Sequence, residues 1–123
     1  LESAAIRFKN SLQENAKIHV ISEDVVEASH NGIVAWEKES IVEPILIEGK
    51  DDYKKTKERW AILKKYFVSK NIKYNEVFTN NNSILSKITY LIYFLDCVSI
   101  YKAIMLKQNP TPVKSIEYIK ERL

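Results

Sequence analysis

Apolar residues recur at helical spacing from the start of the chain. Ala5, Phe8 and Leu12 alternate with Glu2, Arg7 and Lys9, which predicts an amphipathic helix from Ala4 to about Glu14. Residues 17–22 alternate too briefly to separate a short strand from an extended connection. A Ser-His-Asn group at 29–31 suits helix N-capping, and Ile33, Val34 and Trp36 supply apolar surface for a segment reaching about Lys38, with Gly32 weakening the helix. The run 43–48 is apolar and closed by Gly49, the pattern of a buried parallel strand. Asp51 or Asp52 is the expected cap of the next helix, whose apolar stripe is Tyr53, Trp60, Leu63 and Phe67. A second strand is expected over 74–79.

Residues 80–83 read as a loop and cap for a long apolar helix, Ile84 to Leu106, expected to be buried on most of its faces. Lys87, Asp96 and Lys102 interrupt it, and its unbroken apolar core, 90–95, is far short of the roughly 20 residues that a membrane span requires. The helix is expected to stop before Asn109-Pro110. Thr111 then caps the last one, with Pro112 at its first position and Val113, Ile116, Ile119 and Leu123 as the buried stripe. Strands separated by helical crossovers imply an α/β fold with a parallel sheet covered on both faces. Two strands make a poor core, so the pattern implies a domain that lacks at least one preceding strand or borrows it.

A chain of 123 residues with 46% hydrophobic and 28% charged residues suits one globular unit. Its formal charge is 19 − 16 = +3, and acids break its densest basic stretch around Lys54–Arg59, so no nucleic-acid surface is expected. Cys97 stands alone in an apolar segment, which implies a buried thiol and a reducing, cytoplasmic setting. Two glycines, Gly32 and Gly49, exclude a dinucleotide fingerprint and a P-loop. No nucleophile elbow is present, and His19 and His30 belong to no metal-ligand motif. Asn81-Asn82-Ser83 matches the glycosylation acceptor pattern, which a cytoplasmic protein does not use.

Four strings carry more information. They are Glu14-Asn15-Ala16-Lys17, residues 29–33 (Ser-His-Asn-Gly-Ile), residues 94–101 with Asp96, Ser99 and Tyr101, and residues 109–113 (Asn-Pro-Thr-Pro-Val) followed by Ile116 and Lys120. In this order, from about Ala4 to Leu123, they resemble the C-terminal region of the bifunctional phosphoglucose/phosphomannose isomerases. That family shows Glu-Asn-x-Lys at a helix end, His-Asn-Glu-Ile leading into Gly-Trp-Glu, Asp-x-x-Ser-x-Tyr in a buried helix, and Asp-Pro-Thr-Pro-Val near its end.

The resemblance implies a sugar-isomerase (SIS) domain over residues 1–123: a three-layer αβα sandwich around a parallel sheet, with the N-terminal SIS domain and the first strand of this one absent. It also implies interconversion of glucose 6-phosphate or mannose 6-phosphate with fructose 6-phosphate through a cis-enediol, without cofactor or metal. Glu14 matches the family's base, a role that a carboxylate performs best when burial raises its pKa. His30 matches the histidine that assists ring opening in the neighbouring subunit's site, so a homodimer with a shared active site is implied. Lys120 matches a lysine facing the sugar, and Thr111 a substrate-lining position. Taken alone, these four read as an exposed glutamate, a structural histidine, a surface lysine and a helix cap.

Gly32 and Asn109 depart from the family's glutamate and aspartate, which puts local hydrogen bonding near His30 and the last helix in doubt. The family's Ser/Thr-rich phosphate loop and its arginine lie upstream, so the isolated chain is expected to be inactive. A non-catalytic phosphosugar-binding or dimerisation module on the same scaffold is the alternative. The expected partners are a phosphorylated hexose and a second copy, with no nucleic acid and no membrane.

Overall fold

The computed structural model describes residues 1–80 and 83–123; the part of the expected loop and glycosylation pattern at Asn81 and Asn82 lies outside the described residues. The order is α1 (Glu2–Ser11), α2 (Val25–Ala28), β1 (Ile45–Gly49), α3 (Lys54–Ser69), β2 (Asn75–Thr79), α4 (Ile84–Met105) and α5 (Lys114–Lys120). A π-helical turn, Leu12–Ala16, extends α1, and a 3₁₀ stretch, Gly32–Glu37, follows α2. The fold is mixed α/β with a parallel sheet, as the sequence pattern implies. The chain packs as two compact units, one of residues 1–2 and 23–87, the other of residues 3–22 and 88–123.

In the first unit β1 and β2 pair in parallel, with Ile47 opposite Val77. Leu46, Leu63 and Phe67 form the core, and Ile33, Trp36, Trp60, Tyr66, Ile72 and Tyr74 pack around it. Phe67 is its centre. Trp36 meets its ring edge-on at 5.4 Å and Tyr74 lies 5.7 Å away. Lys64 on α3 reaches Glu48 of β1 and Glu76 of β2, each at 2.6 Å. Burial alone would lower the Lys64 pKa, but hydrogen bonds to the two carboxylates and their charges outweigh it, so the pKa is raised.

Three expectations in this unit are corrected. The helix near residue 30 begins earlier, because Asp24 accepts from the N–H groups of Val26 and Glu27 and so caps α2. Ser29 ends that helix and donates back to the Val25 carbonyl at 2.6 Å. Neither Asp51 nor Asp52 caps α3. Asp52 accepts from the Gly49 N–H at 2.9 Å and Asp51 pairs with Lys87 at 2.8 Å, which leaves Tyr53 at the cap position, exposed rather than part of the buried stripe. Asn71, in the left-handed region at φ 54°, closes α3 with the Ile72 N–H on the Phe67 carbonyl, a Schellman ending.

In the second unit residues 17–22 form no strand. Ala4, Phe8, Leu12 and Ala16 are buried along one side of α1 and its π turn; Leu91, Leu95, Ser99 and Ala103 are buried along one side of α4. The expectation that α4 is buried on most faces is corrected: Tyr93, Tyr101, Ile104 and Met105 are exposed. An i, i+4 stripe covers only one side of a helix, and these residues lie off that stripe. Cys97 falls about 200° around the helix from Leu95 and is exposed, not buried. By length and composition α4 is long and apolar enough to cross a membrane. Lys107, at φ 55°, ends it with a second Schellman closure.

The last helix starts at Lys114, so Thr111 does not cap it and Pro112 is not its first residue. The Pro112 carbonyl accepts from Lys17, and the Ile116 N–H goes to Val113 instead. Of the expected stripe Val113 is half-buried, while Ile116, Ile119 and Leu123 are exposed.

Candidate functional site

The second unit holds a polar cluster centred on the turn that carries Glu14. The buried positions Ser11, Leu12 and Ala16 leave Gln13 and Glu14 on the outer side of the π turn. Such turns widen the helix by one residue and recur at functional sites. Each end of the turn is tied down. At its entry Arg7 bonds Asp96 of α4 through two nitrogens, at 3.2 and 2.8 Å, and Ser11 donates to the same carboxylate at 2.7 Å. The Arg7 hydrogen bond holds the Asp96 pKa below the ordinary carboxylate value; burial opposes the shift and the Ser11 hydrogen bond reinforces it. Arg7 is correspondingly raised, first by the Asp96 hydrogen bond and charge, and lastly by the charge of Glu14.

In the middle of the turn Asn15 donates to the Ser99 hydroxyl at 2.8 Å, and Ser99 donates to the Asp96 carbonyl at 2.7 Å. At the exit Lys17 takes a left-handed backbone, φ 58°. Its ammonium donates to the Glu14 carbonyl at 2.6 Å, to the Pro112 carbonyl at 2.8 Å and to the Pro110 carbonyl at 3.4 Å. Thr111 sits between those two prolines, and its N–H donates to Asn109 Oδ1 at 3.0 Å. Asn109 thus makes the turn that an aspartate there would make, so this departure from the family string costs no hydrogen bond at the loop.

The structure therefore brings the Glu14 turn and the Thr111 loop together. The Glu14 carboxylate is exposed and makes no hydrogen bond or ion pair among the described residues. Lys120, in the last turn of α5, is likewise exposed and unbonded among them. His30 belongs to the other unit, just past α2; it is exposed, and its backbone N–H donates to the Glu27 carbonyl at 3.0 Å. Beside it, the space above Gly32 is taken by the Glu23 carboxylate, the mobile end of a long side chain. Among the described residues no group of three or more His, Cys, Asp or Glu side chains is arranged to hold a metal ion.

Sequence reasoning named Glu14 and Thr111 but not the residues that hold them. Lys17, Asn15, Asp96 and Ser99 all lie inside the four strings, where their spacing was the available signal. Arg7 and Ser11 carried none.

A family profile for the bacterial phospho-glucose isomerase C-terminal SIS domain matches residues 1–123. Among curated proteins, the chain is 31% identical to a bifunctional phosphoglucose/phosphomannose isomerase of Caldicellulosiruptor bescii over 99% of its length. Proteins of the same description from Aquifex aeolicus and Thermoplasma acidophilum are 30% and 29% identical over 97% and 98% of the chain. The chain spans 37–38% of the length of these relatives. No solved structure matches it at a significant level. The four strings, the α/β architecture and the match over all 123 residues agree, and the chain belongs to the bacterial phospho-glucose isomerase C-terminal SIS domain family.

Proposed function

We propose that this chain is the C-terminal part of an aldose–ketose isomerase that interconverts glucose 6-phosphate or mannose 6-phosphate with fructose 6-phosphate. Isomerisation needs a base to move a proton between two adjacent carbons and a group to open the sugar ring. Glu14 is the base. It takes the proton from the carbon beside the carbonyl, gives a cis-enediol, and returns the proton to the neighbouring carbon. His30 of a second copy assists ring opening, a task suited to an imidazole, whose two nitrogens can donate and accept a proton. Lys120 and Thr111 face the sugar, and Lys120 supplies positive charge to the developing oxyanion.

The observation that carries this reading is the turn that presents Glu14: Asn15 holds it to α4 and Lys17 joins it to the Thr111 loop, and the Glu14 carboxylate makes no hydrogen bond or ion pair among the described residues. The relatives' names support the substrate class. Proton transfer of this kind calls for no cofactor. A cytoplasmic homodimer is part of the proposal, with α4 covered by protein rather than lipid. The Asp96–Arg7 pair in the middle of that helix supports this, since a charged residue in hydrocarbon is costly.

The test is turnover of the complete gene product with Glu14→Gln and His30→Ala, followed by exchange of the substrate's C2 hydrogen with deuterated solvent. Glu14→Gln is expected to lower kcat by about 10²–10⁴-fold and to abolish exchange, the usual cost of removing a general base. Turnover within about 3-fold of wild type removes Glu14 from the base role, a change far below that range. A protein that binds hexose phosphate without turnover or exchange supports the alternative, a non-catalytic phosphosugar-binding or dimerisation module.

A further inference from the structure

We propose that Lys17 is a positioning residue for the Glu14 carboxylate, acting as a clamp between the π-helical turn and the loop that carries Thr111. The proposal rests on reading Glu14 as the base.

The Lys17 ammonium has three protons, and three carbonyl oxygens stand within hydrogen-bond distance: Glu14 at 2.6 Å, Pro112 at 2.8 Å and Pro110 at 3.4 Å. No carboxylate among the described residues is close enough to pair with it. A lysine on a protein surface ordinarily keeps its ammonium in water. Here the charge is spent on main-chain carbonyls 93 and 95 residues away and on the carbonyl of the residue being positioned.

Two features make the clamp specific. Pro110 and Pro112 have no N–H, so those two residues cannot tie the loop down by donating, and their carbonyls are what remains. The backbone of Lys17 is left-handed at φ 58°, a conformation that glycine adopts more readily than lysine. Chain geometry alone would select glycine at this point, and the side chain is what lysine adds.

The consequence is directional. Asn15 and Ser11 fix the turn against α4, and among the described residues it is the Lys17 side chain that hydrogen-bonds the turn to the loop of Thr111. Loss of the clamp leaves the helix pair intact and frees the base relative to that loop. A displacement of about 1 Å at a reacting group lowers turnover by about 100-fold.

The experiment compares Lys17→Gly, Lys17→Met and Lys17→Arg in the complete protein, with rates normalised to folded enzyme. Lys17→Gly relieves the left-handed backbone while removing the clamp, so its melting temperature is expected to stay near wild type. Its kcat is expected to fall about 10- to 100-fold with KM within about 3-fold, because the loss is in alignment rather than binding. Lys17→Met is expected to lose kcat similarly. Lys17→Arg keeps charged donors within reach of the carbonyls and is expected to recover most of the rate. Amide hydrogen exchange is expected to quicken in residues 12–17 and in Thr111 and Val113 together in Lys17→Gly, a readout independent of turnover.

Wild-type kcat in Lys17→Gly overturns the proposal. So does faster exchange in one segment without the other, or equal rates for Lys17→Arg and Lys17→Met. Wild-type turnover in Glu14→Gln instead sinks the base assignment, and the coupled exchange of the two segments then still reports on the clamp.

Discussion

Replacement of Asp96 by alanine tests whether α1 and its π turn are held as described. The substitution removes two interactions with different weights. The Arg7 pair is bidentate but the guanidinium side chain is 57% exposed, so solvent screens it and its contribution is small. The Ser11 hydroxyl belongs to a buried residue and loses its acceptor, which costs about 1–3 kcal/mol. The expected loss at pH 7 is about 1–3 kcal/mol, set by the Ser11 hydroxyl.

The sign of the pH dependence follows from the depressed pKa. Arg7 stabilises the ionised form of Asp96, so the folded pKa lies below the unfolded value of about 3.9. The stabilisation is therefore complete above pH ~4 and disappears as pH falls through the folded pKa. The gap between wild type and Asp96→Ala should be widest at neutral pH and should narrow towards pH ~2. Urea unfolding followed by circular dichroism measures it, because the second unit is helical and both tryptophans of this chain, Trp36 and Trp60, lie in the first. An Arg7→Ala, Asp96→Ala cycle isolates the ion pair, which should weaken in high salt. A gap below about 0.5 kcal/mol at pH 7, or one unchanged between pH 7 and 2.5, would refute the account, since surface substitutions alone produce changes of that size.

Two further outcomes concern the first unit. Phe67→Ala empties the position that Trp36 and Tyr74 enclose, at 2% exposure, and should cost about 3–5 kcal/mol, read by tryptophan fluorescence during urea unfolding. A loss under 1 kcal/mol would mean that this centre is not packed. Lys64 has a raised pKa, so its contribution is present below its ordinary value of 10.5 and is lost as pH rises through the higher folded value. The stability difference between wild type and Lys64→Met should therefore be constant from pH 7 to 9 and shrink above pH 10.5; a difference that grows with pH contradicts the bridge to Glu48 and Glu76.

Strand and helix placement was legible where hydrophobic period and length coincide. The apolar runs before Gly49 and Thr79 became β1 and β2, and the stripe through Leu63 and Phe67 became the buried side of α3. Helix ends were legible less often. Asp51 and Asp52 have the right chemistry for a cap, but Lys87 and the Gly49 N–H claim them from outside the helix. Three left-handed closures fall on Lys17, Asn71 and Lys107, and a sequence reading seeks glycine there. Burial of α4 and α5 was overestimated for one reason: an apolar residue does not by itself say which side of its helix is covered, and folded proteins leave many apolar side chains exposed.

The helix α4 shows how one short string serves two purposes. Read as hydrophobicity, residues 94–101 look like core, and Asp96 and Ser99 look like interruptions. In the structure those two polar residues are the ones with defined partners. Asp96 receives Arg7 and Ser11; Ser99, fully buried, receives Asn15 and donates to the Asp96 carbonyl. Of the apolar members, Phe94, Ile100 and Tyr101 are exposed while Leu95 is buried. A buried hydroxyl with both roles filled fixes direction and register, which a leucine at the same place cannot do. The spacing Asp-x-x-Ser puts both groups on one side of the helix, three residues apart, matching Ser11 and Asn15 four residues apart across the π turn. The polar positions of α4 thus set where residue 14 stands, and the proposed base depends on a helix far along the chain that contributes no side chain to the proposed chemistry.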